Sequence, residues 1–302
     1  MYDYGDDYED DYENVEESNV MYHYCSLDTF IKILESKKIR LGNPCKMNDN
    51  QELLWYFNFI PEETEKFISI VDDEGIKSKN IYIIKDKLLE VFNEWFYNRT
   101  VPYIASFSED GDILSQWRAY ADDGKGVAIG FKFYDFNAKA GSALSFKSIC
   151  YDELKQRDKI FNVIKSLIEN NSLEFRGTKN YSDFLFDNVS VLLEEAVVSK
   201  NPAFVEEREV RLIYYPEYDF YDSNLEKKQF NIQGPSFRSI GDDITSYYEL
   251  DFSDMKNIII DSVYIGPKCK STKHDIEMIL KNMSCINNIR NITIKKSMAS
   301  YR

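Results

Sequence analysis

Histidine is almost absent from this chain of 302 residues: there are two, His23 and His274, far apart in sequence. That scarcity excludes the HExxH and Cys/His zinc patterns, each of which needs closely spaced imidazoles or thiols. The five cysteines (Cys25, Cys45, Cys150, Cys269 and Cys285) form no CxxC pair. Scattered thiols of this kind indicate reduced cysteines rather than a disulfide frame or a zinc site, so no metal is expected. No apolar run approaches the ~20 residues of a membrane span, and an acidic start is unlike a secretory leader. A cytoplasmic protein without membrane contact is the expectation.

Basic residues are missing from the first twenty positions, which hold Asp3, Asp6, Asp7, Glu9, Asp10, Asp11, Glu13, Glu16 and Glu17. These nine carry most of the formal charge of −15 and leave about −6 for the remainder. Like charges in a block repel and resist burial, so residues 1–19 are expected to form a disordered acidic tail. As an arm it could dock on a basic protein partner. Neither tail nor body offers the positive field of a nonspecific nucleic-acid binder.

What the chain does have is aromatic bulk, 22 Tyr and 20 Phe, suited to a β-containing core. Its most informative stretch is 22–41. Tyr22-His23-Tyr24 reads as a strand, and Leu27, Phe30, Ile31 and Leu34 place an apolar helix face after it. Ser26 stands at the N-cap and Asp28 in the first turn, and Ile39 to Leu41 reads as a second strand. A thiol nucleophile at Cys25, beside His23, is a less favoured alternative.

Helical patterns then run from Asn48-Asp49 to about 97, followed by a strand ending in Ser106-Phe107-Ser108. Asp112 is a candidate cap for a helix carrying Trp117 and Tyr120. Gly124-Lys125-Gly126 is a turn before a strand in which Val127, Ile129, Phe131 and Phe133 alternate. A strand near 144–151, helices over 152–172 and 181–199, and a strand at 209–215 follow. Residues 216–243 read as a long loop, before a strand at 258–265, a helix at 271–283 and a strand at 291–295. The expected organisation is a single α+β domain over 20–302, with a helical insertion at about 50–97.

Alternation along the strand at 209 puts Glu207, Glu209 and Arg211 on one face, the carboxylates ~6–7 Å apart. Such a pair could stabilise a cationic transition state or activate a hydroxyl. From spacing alone, a solvated edge strand with surface Glu–Arg pairs is the preferred reading. The other candidates have structural alternatives too. His23 could be a bonded core histidine, Ser106 and Ser108 small residues at a close approach, and Trp117 and Tyr120 packing. Asn48-Asp49 could be a turn and cap, and Lys125 an exposed turn residue.

As a set, Tyr22-His23-Tyr24, Asn48-Asp49 with Glu52, Ser106-Phe107-Ser108, Trp117, Tyr120-Ala121, Gly126 and Glu207-x-Glu209-x-Arg211 resemble a bacterial family of domains of unknown function. That resemblance spans about 20–268. The opening unit also resembles, more weakly, the first conserved block of ADP-ribosyltransferases, where a strand ends in His or Arg before a helix and second strand. The order His23, then Ser106 or Ser108, then Glu207 and Glu209 is similar to the order in those enzymes.

This second resemblance implies an ADP-ribosyltransferase-like split β-sheet core with helical insertions. It implies NAD as the substrate, transferred as ADP-ribose to an unknown acceptor (protein, nucleic acid or small molecule) or hydrolysed. A bacterial toxin or phage-defence effector is the implied setting. Glu209 would be the catalytic carboxylate, with Glu207 orienting the acceptor. His23, Tyr24, Ser106, Ser108 and Tyr120 would form the cofactor-binding set. Tyr24 stands where the His-type enzymes often have Gly, and Tyr103, Ser106 and Ser108 compete for the central position. Rival readings are a non-catalytic nucleotide- or protein-binding module, and a Mg²⁺ nuclease on Asp49, Glu52, Glu207 and Glu209.

Overall fold

A computed structural model describes residues 20–46, 51–71, 90, 102–134, 143–169, 191–216, 230–253, 258–283 and 292–301. The acidic tail, Asn48 and Asp49 lie outside these residues, as does the side chain of Glu52. Among the described residues, no helix is long and apolar enough to cross a membrane.

The opening unit forms as its pattern requires. Strand β1 (Val20–Cys25) leads into α1 (Leu27–Ser36), whose N-cap Ser26 accepts a hydrogen bond from Thr29 N. Lys37 ends the helix in the left-handed region and passes the chain to β2 (Lys38–Gly42). Helices α2 (Gln51–Phe57) and α3 (Ile60–Val71) precede β3 (Tyr103–Ser108). Next come α4 (Leu114–Tyr120), β4 (Val127–Phe133), β5 (Leu144–Ser148) and α5 (Glu153–Glu169). A helix over 191–197 (α6) and a 3-10 turn, Pro202–Glu207, lead to β6 (Glu209–Tyr214). The chain continues through β7 (Asn231–Ile240), β8 (Asp243–Asp251), β9 (Ile258–Ile265), α7 (Lys273–Asn282) and β10 (Thr293–Lys296).

The described residues form a mixed α+β structure on one open, mostly antiparallel sheet of ten strands. Its path runs β10-β9-β4-β1-β3-β2-β8-β7, with β6 and β5 branching from β3. Strand β3 is the junction. One edge pairs with β6 at all six positions, Tyr103↔Tyr214 through Ser108↔Glu209. Along its other edge it meets β2 only at Ile104↔Gly42 and β1 only at Ser108↔Tyr22. The sheet therefore opens beside Ala105, Ser106 and Phe107.

Alternation sends each strand's residues into different cores. Ala105, Phe107, Val210, Leu212, Phe131 and Phe133 join α1 and α7 in one. Ile104 and Ile213 join α2, α3, α5 and α6 in the other. A third, smaller cluster packs Tyr24, Trp117, Ala121 and Ala128.

Three expectations need correction. Strand β6 is no solvated edge: all six of its residues are buried between β3 and β5. The span 216–243 is not one loop, because β7 begins at Asn231 and pairs with β8. Strand β7 has no buried residue and is mostly exposed, so it has little of the apolar alternation by which a half-buried strand is recognised. Asp112 does not cap α4; Ile113 holds the N-cap position without a side-chain bond.

Close approach, rather than turn geometry, explains Gly126. A Cβ there would lie 2.0 Å from the carbonyl oxygen of Cys25, a backbone atom with no freedom to move. Gly126→Ala should therefore lose about 2 kcal/mol or more of stability in denaturant unfolding. An unchanged unfolding midpoint would show that β1 can shift freely against β4.

Candidate active site

The opening in the sheet is a cavity of about 160 Å³. Tyr22, His23 and Tyr24 line it from β1, Arg40 from β2, and the run Ile104 to Phe107 from β3. Gln116 and Tyr120 face it from α4, with Glu207 and Glu209 beside the junction with β6. His23, Tyr24, Ser106, Tyr120, Glu207 and Glu209 thus share one cavity, although up to 186 residues separate them in the chain. Ser108 is not among the lining residues.

His23 crosses the opening. Its Nδ1 lies 3.1 Å from the carbonyl oxygen of Ser106. A carbonyl only accepts, so Nδ1 carries the proton and Nε2 is left as the basic nitrogen. Burial lowers the imidazole's pKa, against a smaller opposing effect of that backbone bond. The ring is therefore neutral at pH 7.

The floor is charged. Lys200 Nζ lies 2.6 Å from Glu207 Oε2 and 3.0 Å from Glu209 Oε2. Arg211 Nε reaches Glu209 Oε1 at 2.7 Å and Nη2 reaches Oε2 at 3.1 Å, a two-pronged pairing. Arg211 Nη1 also donates to Val197 O. All four side chains are at most 7 % exposed. Burial by itself pushes the Glu209 carboxyl up. The charges of Arg211 and Lys200, with hydrogen bonds from Arg211 and Ser106, outweigh it and bring the group to about 2.

Local chain geometry delivers these groups. Asn201 caps the 3-10 turn through Ala203 N, and Arg208 takes a left-handed conformation that swings the chain into β6. Glu207 consequently ends the turn and does not lie on the strand as alternation suggested. Lys200 is the group the sequence reading missed. In Ser199-Lys200-Asn201-Pro202 it shows no periodic signal; its proximity to the glutamates comes from the fold.

The remaining candidates divide clearly. Ser108 is a buried strut whose hydroxyl donates to Glu207 O at 2.8 Å. Tyr103 is at the far end of β3, its hydroxyl 2.6 Å from Ser246 Oγ. Tyr24 lines the cavity but also props a wall. Its hydroxyl donates to Asp110 O and accepts from Ile113 N, at 2.8 and 2.9 Å. Tyr120 is 46 % exposed at the rim, whereas Trp117 is fully buried core. Lys125 is exposed, with Asp122 3.9 Å away. Cys25 is buried and its thiol is pushed up to about 12 by desolvation, which argues against a nucleophilic role.

A segment following β10 braces the α4 wall. Met298 N donates to Asp112 Oδ2 at 2.8 Å, and Trp117 Nε1 donates to Asp112 Oδ1 at 2.8 Å. Ala299 packs on the Tyr24–Trp117 cluster. The Tyr301 hydroxyl donates to Asp123, whose other oxygen binds Lys268.

Comparison with known proteins brings one match. The family described as "Protein of unknown function (DUF2971)" matches residues 116–212. That span runs from Gln116 in α4 to Leu212 in β6 and includes Tyr120, Lys200, Glu207, Glu209 and Arg211. It agrees with the first resemblance drawn from the sequence, over a shorter stretch than the 20–268 expected. No curated protein and no solved structure matches the chain. Nothing in the comparisons supports the resemblance to ADP-ribosyltransferases, or a toxin or phage-defence role.

The charged floor has a pH signature. Glu209 sits below its ordinary 4.5, so it contributes stability above that pH and loses it as pH falls towards about 2. The full contribution is on the order of 3 kcal/mol. Unfolding measured from pH 5 to 2 should show a shallower acid loss in Glu209→Gln than in the native protein. Equal slopes would place the acid sensitivity elsewhere.

Proposed function

We propose that the protein is an NAD-consuming enzyme of ADP-ribosyltransferase type, built on a split β-sheet core. The observation that carries this reading is the convergence of His23, Ser106, Glu207 and Glu209 on the cavity where β1 and β2 part beside β3. Their order along the chain is the one the resemblance requires.

The chemistry suits the site. Cleavage of the nicotinamide–ribose bond leaves the electron pair on nicotinamide and cationic character on the ribose carbon, as in glycoside hydrolysis. A buried carboxylate beside that carbon stabilises the charge, most effectively when water is excluded. Glu209 is ionised and aligned by Arg211, Lys200 and Ser106, and nicotinamide needs no strong acid to leave. His23, neutral with Nε2 as acceptor, is suited to receive a ribose hydroxyl. Attack by an acceptor hydroxyl, amine or water closes the step, its proton passing towards Glu207. The cavity is smaller than the ~300 Å³ or more that encloses a whole ligand, so it suits one ring of a larger molecule.

One observation favours a second reading, a non-catalytic binding module. Glu209 is already held by two cations and a hydroxyl, an arrangement that also serves a rigid recognition floor. The nuclease reading is weaker. Glu207 and Glu209, two of its ligands, are already paired with Lys200 and Arg211.

Incubation with NAD separates the two leading readings. The native protein should release nicotinamide, and Glu209→Gln should be slower by about 10²-fold or more while remaining folded. His23→Ala should fall similarly. Native-rate release by Glu209→Gln would end the assignment, and no release by any form would leave the binding module in its place.

A further inference from the structure

We propose that Gln116 is the specificity-determining residue of the cavity. Its side-chain amide reads an amide edge on a flat ring, a carbonyl beside an N–H, as in the carboxamide of nicotinamide or the lactam of a nucleobase. Gln116 is 7 % exposed and lines the cavity from α4. Among the described residues, none bonds its Oε1 or Nε2. Buried polar groups nearly always have a partner, because an unbonded one forfeits the water it held in the unfolded chain. An unpartnered amide in a cavity wall is therefore a mark of what the cavity takes.

Neighbouring polar groups are committed elsewhere. The Tyr24 hydroxyl donates to Asp110 O and accepts from Ile113 N. His23 Nδ1 donates to Ser106 O, and the Ser106 hydroxyl bonds Glu209. The helix meanwhile holds Gln116 in place. Gln116 and Tyr120 stand one turn apart and both line the opening. Trp117, the next residue, turns into the core, where its ring meets Tyr24 at 4.9 Å and its indole N–H donates to Asp112. Asp112 is tied in turn to Met298 N. A braced helix thus presents the amide.

The walls suit a ring: Tyr22, Tyr24 and Phe107 are aromatic, and Ile104 and Ala105 are aliphatic. A side-chain amide meets an amide edge with two bonds. Nε2–H donates to the ligand's carbonyl, and Oε1 accepts the ligand's N–H. A ketone of the same shape makes only the first bond. A carboxylate also lacks the N–H, and it would share the cavity with Glu207 and Glu209. The site should therefore prefer a neutral amide to either.

The test titrates native protein and Gln116→Met with nicotinamide, 3-acetylpyridine and uracil, following the ligands by NMR. 3-Acetylpyridine keeps the ring and carbonyl of nicotinamide and replaces the amide nitrogen with a methyl group. Native protein should bind nicotinamide about tenfold or more tightly than 3-acetylpyridine, because the ketone leaves Oε1 unpaired. In Gln116→Met the two should bind within about twofold of each other. Without ligand, Gln116→Met should melt no lower than the native protein, since an unbonded amide adds nothing to the fold. A lower melting temperature, or failure to fold, would give Gln116 a structural role and overturn the proposal. Equal native affinity for amide and ketone would overturn it too, as would a preference that persists in Gln116→Met.

This inference rests on the enzymatic reading only for its first probe; uracil represents the lactam source. If native protein binds uracil and not nicotinamide, and Gln116→Met binds uracil about tenfold more weakly, the assignment of Gln116 stands and the NAD reading fails. If nicotinamide binds without regard to Gln116, the assignment fails alone. Binding of neither probe overturns the assignment, and NAD turnover then decides the enzymatic reading separately.

Discussion

The hydrogen bond from His23 Nδ1 to Ser106 O is the point on which the site depends. Backbone carbonyls in a sheet need a donor, and ordinarily the next strand supplies it. Beside Ser106 neither β1 nor β2 is paired with β3, and an imidazole supplies the donor. One interaction therefore closes the gap electrically while leaving it open sterically. It fixes the tautomer of His23 and sets its other nitrogen as an acceptor. A histidine can be both a satisfied structural residue and a site residue, and this one occupies both roles.

Beneath that opening the molecule accepts a cost most folds avoid. Four charged side chains are buried together, and taking each from water costs several kcal/mol before any partner is counted. Lys200 and Arg211 pair with the two glutamates, and nearby groups such as Ser106 and Val197 O take part in further hydrogen bonds. Ion pairs of this kind seldom raise stability above that of an apolar core of equal volume. Their effect is to hold a carboxylate ionised and immobile in a dry setting. The chain retains them where the 3-10 turn runs into β6 beside β3.

The opening β1–α1–β2 unit was legible because every signal agreed: apolar period, Ser26 cap and first-turn Asp28. The alternation of β4 was legible for the same reason. Six of the seven candidate site residues line one cavity, since His23, Ser106 and Glu209 each belong to a recognisable strand. Other features had no local signature. Burial of β6 depends on neighbours 62 to 111 residues away, so two glutamates and an arginine looked like a wet edge. Asp112 sits where a cap would, yet its oxygens bind Trp117, Ser297 and Met298. Lys200 was invisible because the carboxylates it meets are brought to it by the chain's path.

The bond between Asp112 and the backbone of Met298 joins residues 186 apart. It braces the helix that presents Gln116 and Tyr120. During synthesis that helix emerges first, and its brace follows 186 residues later. At ~5–20 residues per second, roughly ten seconds or more separate the two events. The cavity wall thus reaches its final form only once Met298 has been made, so a chain that stops short of it carries an unbraced site.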